Sequence, residues 1–442
     1  MAVQNLSSLL ASWLLSAMFL ATLSFSASAL DPIVTQEPMQ GVPPARESQV
    51  TMQNYREYPM NKWAFRNAGA PLNIVMIPRA GTIFPLPGPS KPALGQRLFT
   101  TAQGQQQSFD DLFESNYADG VVVMKGNRLV YEKYFHGFHA DAQHIWFSMS
   151  KSMASSAFGL LVAKGKVDLN ASPADYIPEL KGSGFERVTI QHVLDHATAI
   201  DFKETYTDFT SDFALKYAPA MNMGYLPGAR DAQPSNTKIL GVHDFLAHYI
   251  KPDLSVEPGS NFDYNSTNAD LLGWLIARIS GQPVEEFLQK NIWAKLGAEH
   301  DAYIAVDRAF MPVMTGGVNT TLRDAARFGM MIRDRGRFNG QQVIPKKWVD
   351  ASLDITPTLR ANMAKNPNYG EEPWTAYHNM WWILDETIGE YCAVGIHGQI
   401  IYINRKADTV MTWFSSQPVA GAARNLNFRA KLQAARELAR TL

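Results

Sequence analysis

Strand-type patterns stand toward both ends of this chain, with mostly helical patterns between them. Near one end, Val121-Val122-Val123-Met124 runs into a Lys125-Gly126-Asn127 turn and resumes as Leu129-Val130-Tyr131 and Tyr134, a β-hairpin signature. Near the other, residues 399–403 and 409–415 are strand-like around the polar turn Asn404-Arg405-Lys406-Ala407-Asp408, and a helical run follows over 422–438. Residues 190–196, 242–250, 269–279, 284–296 and 322–335 carry apolar side chains at helical spacing. An isolated hairpin is marginal in water. The two hairpins therefore predict one antiparallel sheet assembled from distant segments and flanked by helices, with a mostly helical region inserted at about 165–300: an α/β (α+β) fold.

A hydrophobic fraction of 46% suffices for a large core, and residues 106–442 read as one unit. Residues 30–105, where Pro85, Pro87, Pro89 and Pro92 fall close together, read as a Pro/Gly-rich, loop-forming N-terminal extension. Residues 7–29 carry no charge, are apolar over 13–23 and end in Ala27-Ser28-Ala29, so residues 1–29 read as a secretory signal, although no Lys or Arg precedes the apolar stretch. The expectation is export to the periplasm or medium, with no stable membrane insertion after removal. Forty basic against 41 acidic residues give a net charge of −1, which offers no electrostatic reason to expect nucleic acid. Cys392 is the only cysteine, which excludes an intrachain disulfide and a multi-cysteine metal site. No cofactor or metal is expected, and nothing in the sequence sets an oligomeric state.

Ser148-Met149-Ser150-Lys151 is the pattern that carries chemistry. Ile145-Trp146-Phe147 leads in, and Met153, Ala154, Ala157, Phe158, Leu161 and Val162 recur at helical spacing behind it, so Ser148 is placed at a helix start. Helix positions three apart share a face, which brings the Lys151 amine to the Ser148 hydroxyl. A serine hydroxyl needs such a base to become a nucleophile. Ser235-Asn236-Thr237-Lys238 repeats the spacing without a hydrophobic lead-in and reads as a loop or helix cap. Tyr264 falls at a loop-to-helix junction before Ala269-Asp270-Leu271-Leu272. A phenol ordinarily titrates near about 10, and a neighbouring ammonium is expected to lower it, so Lys151 and Tyr264 are expected to share the base role.

These elements, with Gly165-Lys166-Val167-Asp168-Leu169, Tyr176-Ile177-Pro178-Glu179-Leu180, the 189–196 segment, Pro258-Gly259, Gly316-Gly317-Val318-Asn319-Thr320-Thr321 and Gly395-Ile396-His397-Gly398-Gln399, occur in the order found in the serine β-lactamase-related family, which the chain resembles over about 115–420. The resemblance implies a β-lactamase/transpeptidase-like fold and an acyl-enzyme on Ser148, with Lys151 and Tyr264 as its catalytic partners. It also implies an oxyanion hole from the backbone N–H groups of Ser148 and Ile396. Ile200-Asp201-Phe202 followed by Tyr206 is similar to 6-aminohexanoate-dimer hydrolases and related esterases, implying a small ester or linear amide as substrate. Tyr206, Ser266, Asn319, Gly395 and His397 are the implied substrate-binding residues.

The chain departs from penicillin-recognising relatives where Ala393-Val394-Gly395 or Gly395-Ile396-His397 stands in place of K-T-G, without a lysine. Ser266 stands where many relatives carry Asn, and Ser211-Asp212-Phe213 breaks the S-D-N pattern at its third residue. β-Lactams and D-amino-acid peptides are therefore the alternative substrates. A non-catalytic penicillin-binding-type sensor is the alternative of another class, but a pure binder has no need of Ser148, Lys151 and Tyr264 together. His192 and His196, four apart without the glutamate of H-E-x-x-H, read as structural. Trp374, Trp381 and Trp382 suit either an apolar site wall or the core.

Overall fold

The computed structural model describes residues 37–101, 104–224, 238–370, 373–421 and 426–442. Residues 1–29, expected to be a secretory signal, and Ser235, Asn236 and Thr237 of the second S-x-x-K lie outside the described residues. The chain forms two units, Met1–Gln49 and Val50–Leu442. In the first, the described residues include a short turn of helix at Arg46–Ser48, closed by the Ser48 hydroxyl donating to Ala45 O.

The two hairpins join as expected. Thr409–Ser415 pairs antiparallel with Ala118–Lys125, Val123 lying opposite Met411, and this contact unites a seven-stranded sheet. Its order is Ala376–His378, Trp381–Asp385, Glu390–Gly395, Gln399–Asn404, Thr409–Ser415, Ala118–Lys125 and Arg128–Tyr134, antiparallel throughout. The central strands are buried along their whole length, which explains why their sequences are apolar runs and not clean alternations. Helix Leu322–Arg333 covers one face, where Gly329 lets it close on Ile401 and Val410: a Cβ there would sit 2.8 Å from both side chains. Successive strand residues face opposite ways, so Tyr402 and Glu390 point to the other face, which helix Leu426–Thr441 covers through Arg436 to Glu390 at 2.8 Å.

Within 165–300 the described elements are helical: Pro173–Tyr176, Ile190–Leu194, Ala218–Met221, Val242–His248, Thr267–Ser280 and Val284–Asn291. Phe213–Tyr217 adds a π-helical turn. No helix among the described residues is long and apolar enough to cross a membrane.

The N-terminal boundary differs from expectation. The larger unit begins at Val50, not at 106, and Ile74–Ile77 is an edge strand of a second sheet, ordered Ile74–Ile77, Ala302–Ala305, Val318–Thr321 and Gln143–Ile145. Surrounding Pro and Gly hide this four-residue run in the sequence. Its position matters, because Gln143–Ile145 leads directly into the Ser148 turn.

Candidate active site

Helix Met149–Ala163 begins at Ser148, whose backbone is already in the right-handed helical region. Three hydrogen bonds tie this start of the helix to strand Val318–Thr321. Trp146 N–H donates to Val318 O at 2.8 Å, its indole N–H to Thr320 Oγ1 at 2.7 Å, and Ser150 Oγ accepts from Val318 N–H at 3.2 Å. Phe147 has φ 47°, a conformation that a bulky residue adopts only when its surroundings impose it. The next turn places Lys151, 1% exposed, with Nζ donating to Ser148 Oγ at 2.8 Å and Thr315 O at 2.9 Å.

Burial lowers the Lys151 pKa to about 8, against the opposing pull of Glu204 and Asp270. Asp270 lies on helix Thr267–Ser280 and is 4% exposed; it accepts Thr315 N–H at 2.8 Å and the Tyr217 hydroxyl at 2.5 Å, and burial pushes its carboxyl upward. The Thr315 peptide thus binds Lys151 at its carbonyl and Asp270 at its N–H.

Tyr264 reaches the same point from the loop before that helix. It is hydrogen-bonded to Ser148, stacked on His196 at 4.8 Å and on Trp382 at 5.4 Å, and the Lys151 amine lies 5.1 Å from its ring centre. The expected lowering of its pKa is overturned. Burial pushes it well above the ordinary value, Tyr377 and Glu204 add to the effect, and the hydrogen bond to Ser148 only partly opposes them. Tyr264 is a neutral phenol, and the group whose pKa shifts toward neutrality is Lys151.

Strand Glu390–Gly395 ends beside the serine. Ser148, Gly395 and Ile396 line one cavity of about 530 Å³ with Tyr264, and neither the Ser148 N–H nor the Ile396 N–H donates to another group among the described residues. Phe65 packs 4.9 Å from both Phe147 and His397, fixing the two backbone segments against each other. Trp374 and Trp382 belong to the cavity wall, whereas Trp381 stacks on Phe328 in the core.

Two expected substrate contacts are corrected. His397 turns away at φ 61°, is fully buried, and its Nδ1 donates to Gln417 O at 2.7 Å; burial lowers its pKa to about 3, so the ring is neutral. Asn319 is buried in strand Val318–Thr321, donates to Gly317 O at 2.8 Å, and lines neither cavity beside Ser148. Tyr206 lines both of those cavities; its hydroxyl donates to Glu204. Ser266 faces the smaller of the two, with N–H and hydroxyl donating to Glu204 at 2.6 and 3.1 Å.

Glu204, on the wall of the larger cavity, is the residue that sequence reasoning missed. It lies in a loop with no periodicity, and its partner Ser266 is far away in the chain. His196 and His192 do not converge: His196 Nδ1 accepts Asn265 N–H at 2.9 Å, and His192 caps its own helix by accepting Thr189 N–H. Cys392 is buried, and burial raises its thiol pKa well above the ordinary value.

A helix-start serine paired with a buried lysine beside a seven-stranded antiparallel sheet defines a serine hydrolase of the β-lactamase fold. The Beta-lactamase family model matches residues 109–436, and the chain belongs to that family. It is 31% identical over 378 residues to the 6-aminohexanoate-dimer hydrolase of Paenarthrobacter ureafaciens, a match covering 85% of this chain and 90% of that one. Among solved structures, a Bacillus anthracis protein described as a candidate 6-aminohexanoate-dimer hydrolase superposes with TM-score 0.77 at 24% identity, covering 90% and 98% of the two chains. A family VIII carboxylesterase shares the fold at TM-score 0.52 and 15% identity over 80% and 100%.

Proposed function

We propose that the chain hydrolyses small esters and linear amides, of the 6-aminohexanoate-oligomer type, through an acyl-enzyme on Ser148. The observation that carries this reading is the buried Lys151 amine 2.8 Å from Ser148 Oγ at a cavity of about 530 Å³. Neutral Lys151 takes the Ser148 proton as Oγ attacks the carbonyl. The Ser148 and Ile396 N–H groups stabilise the resulting oxyanion, each such donor being worth about 2.7–4 kcal/mol. Tyr264, a neutral phenol, donates its proton to the departing amine or alcohol and regains one from the Lys151 ammonium; Lys151, neutral again, takes a proton from the water that hydrolyses the acyl-enzyme.

Among the described residues, the wall of this cavity carries Glu204 and Asp263 but no lysine or arginine, which disfavours a β-lactam whose carboxylate needs a K-T-G cation. Glu204 serves here as a positioning residue, tying the Tyr206 loop to the start of the helix that follows Tyr264. Residues 1–29 complete the reading as an export signal.

An active-serine phosphonate probe tests it. The parent protein is labelled and Ser148→Ala is not; labelling of the mutant to the same extent refutes the assignment. Turnover of p-nitrophenyl esters and a 6-aminohexanoate dimer, set against a chromogenic cephalosporin and a D-Ala-D-Ala peptide, ranks the substrate classes.

A further inference from the structure

A second, smaller chamber of about 30 Å³ also borders Ser148, walled by Phe147, Tyr206, Ser266, Ile396 and Arg56. Arg56 comes from the N-terminal segment and lies outside residues 109–436, the stretch that the family model matches. Its side chain is held in place. Nε donates to the Tyr55 hydroxyl at 2.8 Å, which donates in turn to Met223 O at 2.5 Å, and the guanidinium carbon lies 5.4 and 5.8 Å from the Tyr55 and Phe147 ring centres. Gly224, at φ 75°, lets the backbone pass this segment, since a Cβ there would meet Met52 O at 2.3 Å.

Arg56 is 5% exposed, and its Nη1 and Nη2 donate to nothing among the described residues. Of the three buried arginines among those residues, Arg327 pairs with Glu299 and Asp324, and Arg333 pairs with Asp334 and Asp408. Arg56 alone of the three has no carboxylate partner among the described residues. A buried guanidinium without a counter-charge is costly, and its fork of donors matches a carboxylate in two parallel hydrogen bonds. A chamber of 30 Å³ holds roughly two waters, which is the room a carboxylate needs and too little for a ring.

We propose that Arg56 determines specificity by binding a substrate carboxylate, so that, within the ester and linear-amide class, a short acyl part ending in a carboxylate is preferred to the ammonium-ended acyl part of a 6-aminohexanoate oligomer. The longer leaving group then occupies the cavity of about 530 Å³. This rests on the Ser148 reading above.

The test compares the p-nitrophenyl half-ester of glutarate with the p-nitrophenyl ester of glutaramate, its neutral isostere, after subtracting the Ser148→Ala rate. The parent protein is expected to prefer the carboxylate by about 10–100-fold in kcat/KM, the range of a hydrogen-bonded charge. Arg56→Gln loses that preference, and Arg56→Lys keeps part of it. Equal rates on the two esters in the parent, or an equal fall on both in Arg56→Gln, overturn the proposal while leaving Ser148 chemistry intact. Absence of turnover of either ester, with Ser148→Ala labelled like the parent, fails the underlying reading instead. Should Arg56→Gln not fold, free glutarate is expected to shield the parent's Ser148 from the phosphonate where glutaramide does not. Equal labelling in both overturns the proposal.

Discussion

Gly395→Ala tests the geometry of the oxyanion hole at its narrowest point. Gly395 has φ −119° and ψ 151°, an extended conformation that alanine adopts freely, so any effect comes from space alone. An added Cβ would lie 2.3 Å from Trp146 O and 3.1 Å from Gln399 Cβ, where ordinary contact begins near 3.4 Å. Trp146 cannot retreat: it is fully buried, and both its backbone N–H and its indole N–H are anchored to the neighbouring strand. The end of the strand must therefore move outward by about 1 Å, carrying the Ile396 N–H with it, and a displacement of that size costs about 10²-fold in rate. Overpacking also costs about 1–3 kcal/mol of stability, which a domain of this size survives. The assay is kcat for p-nitrophenyl butyrate on protein shown to be folded by circular dichroism. A folded Gly395→Ala with kcat within a few-fold of the parent refutes the claim that Ile396 supplies a positioned donor.

The lysine base gives the remaining predictions. Lys151 must be neutral to accept the Ser148 proton, so kcat/KM rises with pH through about 8, and the Asp270 carboxylate, which favours the protonated form, holds that limb high. Asp270→Asn is expected to move the acidic limb down by about one pH unit; an unmoved limb in a folded mutant denies Asp270 any electrostatic hold on the base. Lys151→Ala and Tyr264→Phe each lower kcat by about 10²–10⁴-fold. Their combination is expected to fall little further, because base and proton donor act as one unit, and fully multiplicative losses argue for separate proton paths.

The fold was legible where a pattern had length. Residues 399–415 and 118–134 gave their hairpins because each strand spans several residues and each turn carries polar or Gly signals, and their union followed from the need to bury both. The second sheet left no such trace. Ile74–Ile77 and Gln143–Ile145 are four and three residues long, too short for a period to emerge, and they pair only through strands more than a hundred residues away. The Pro-rich stretch behind Ile74–Ile77 then made the whole N-terminal segment read as an appendage, although it carries an edge strand, Phe65 and Arg56 toward the site.

In the site, sequence spacing fixed neighbours along one helix but not the sign of their interaction. Ser148 and Lys151 were readable because three residues make a turn. That Tyr264 joins them followed from family order, yet the expected drop in its pKa did not, because burial acts on a phenol and an ammonium in opposite directions along the proton scale. Both lose their charged form on leaving water: the phenol moves up and stays neutral, while the lysine moves down and becomes a base. The same burial that removes Tyr264 from the base role therefore creates it in Lys151. His397 failed for a related reason, since adjacency to Gly395 says nothing of the left-handed turn that sends its ring into the core. Glu204 and Arg56 lie in aperiodic segments and meet Ser148 only through the folded backbone. The groups that start the chemistry are thus local in sequence, and those that set its electrostatics and selectivity are not.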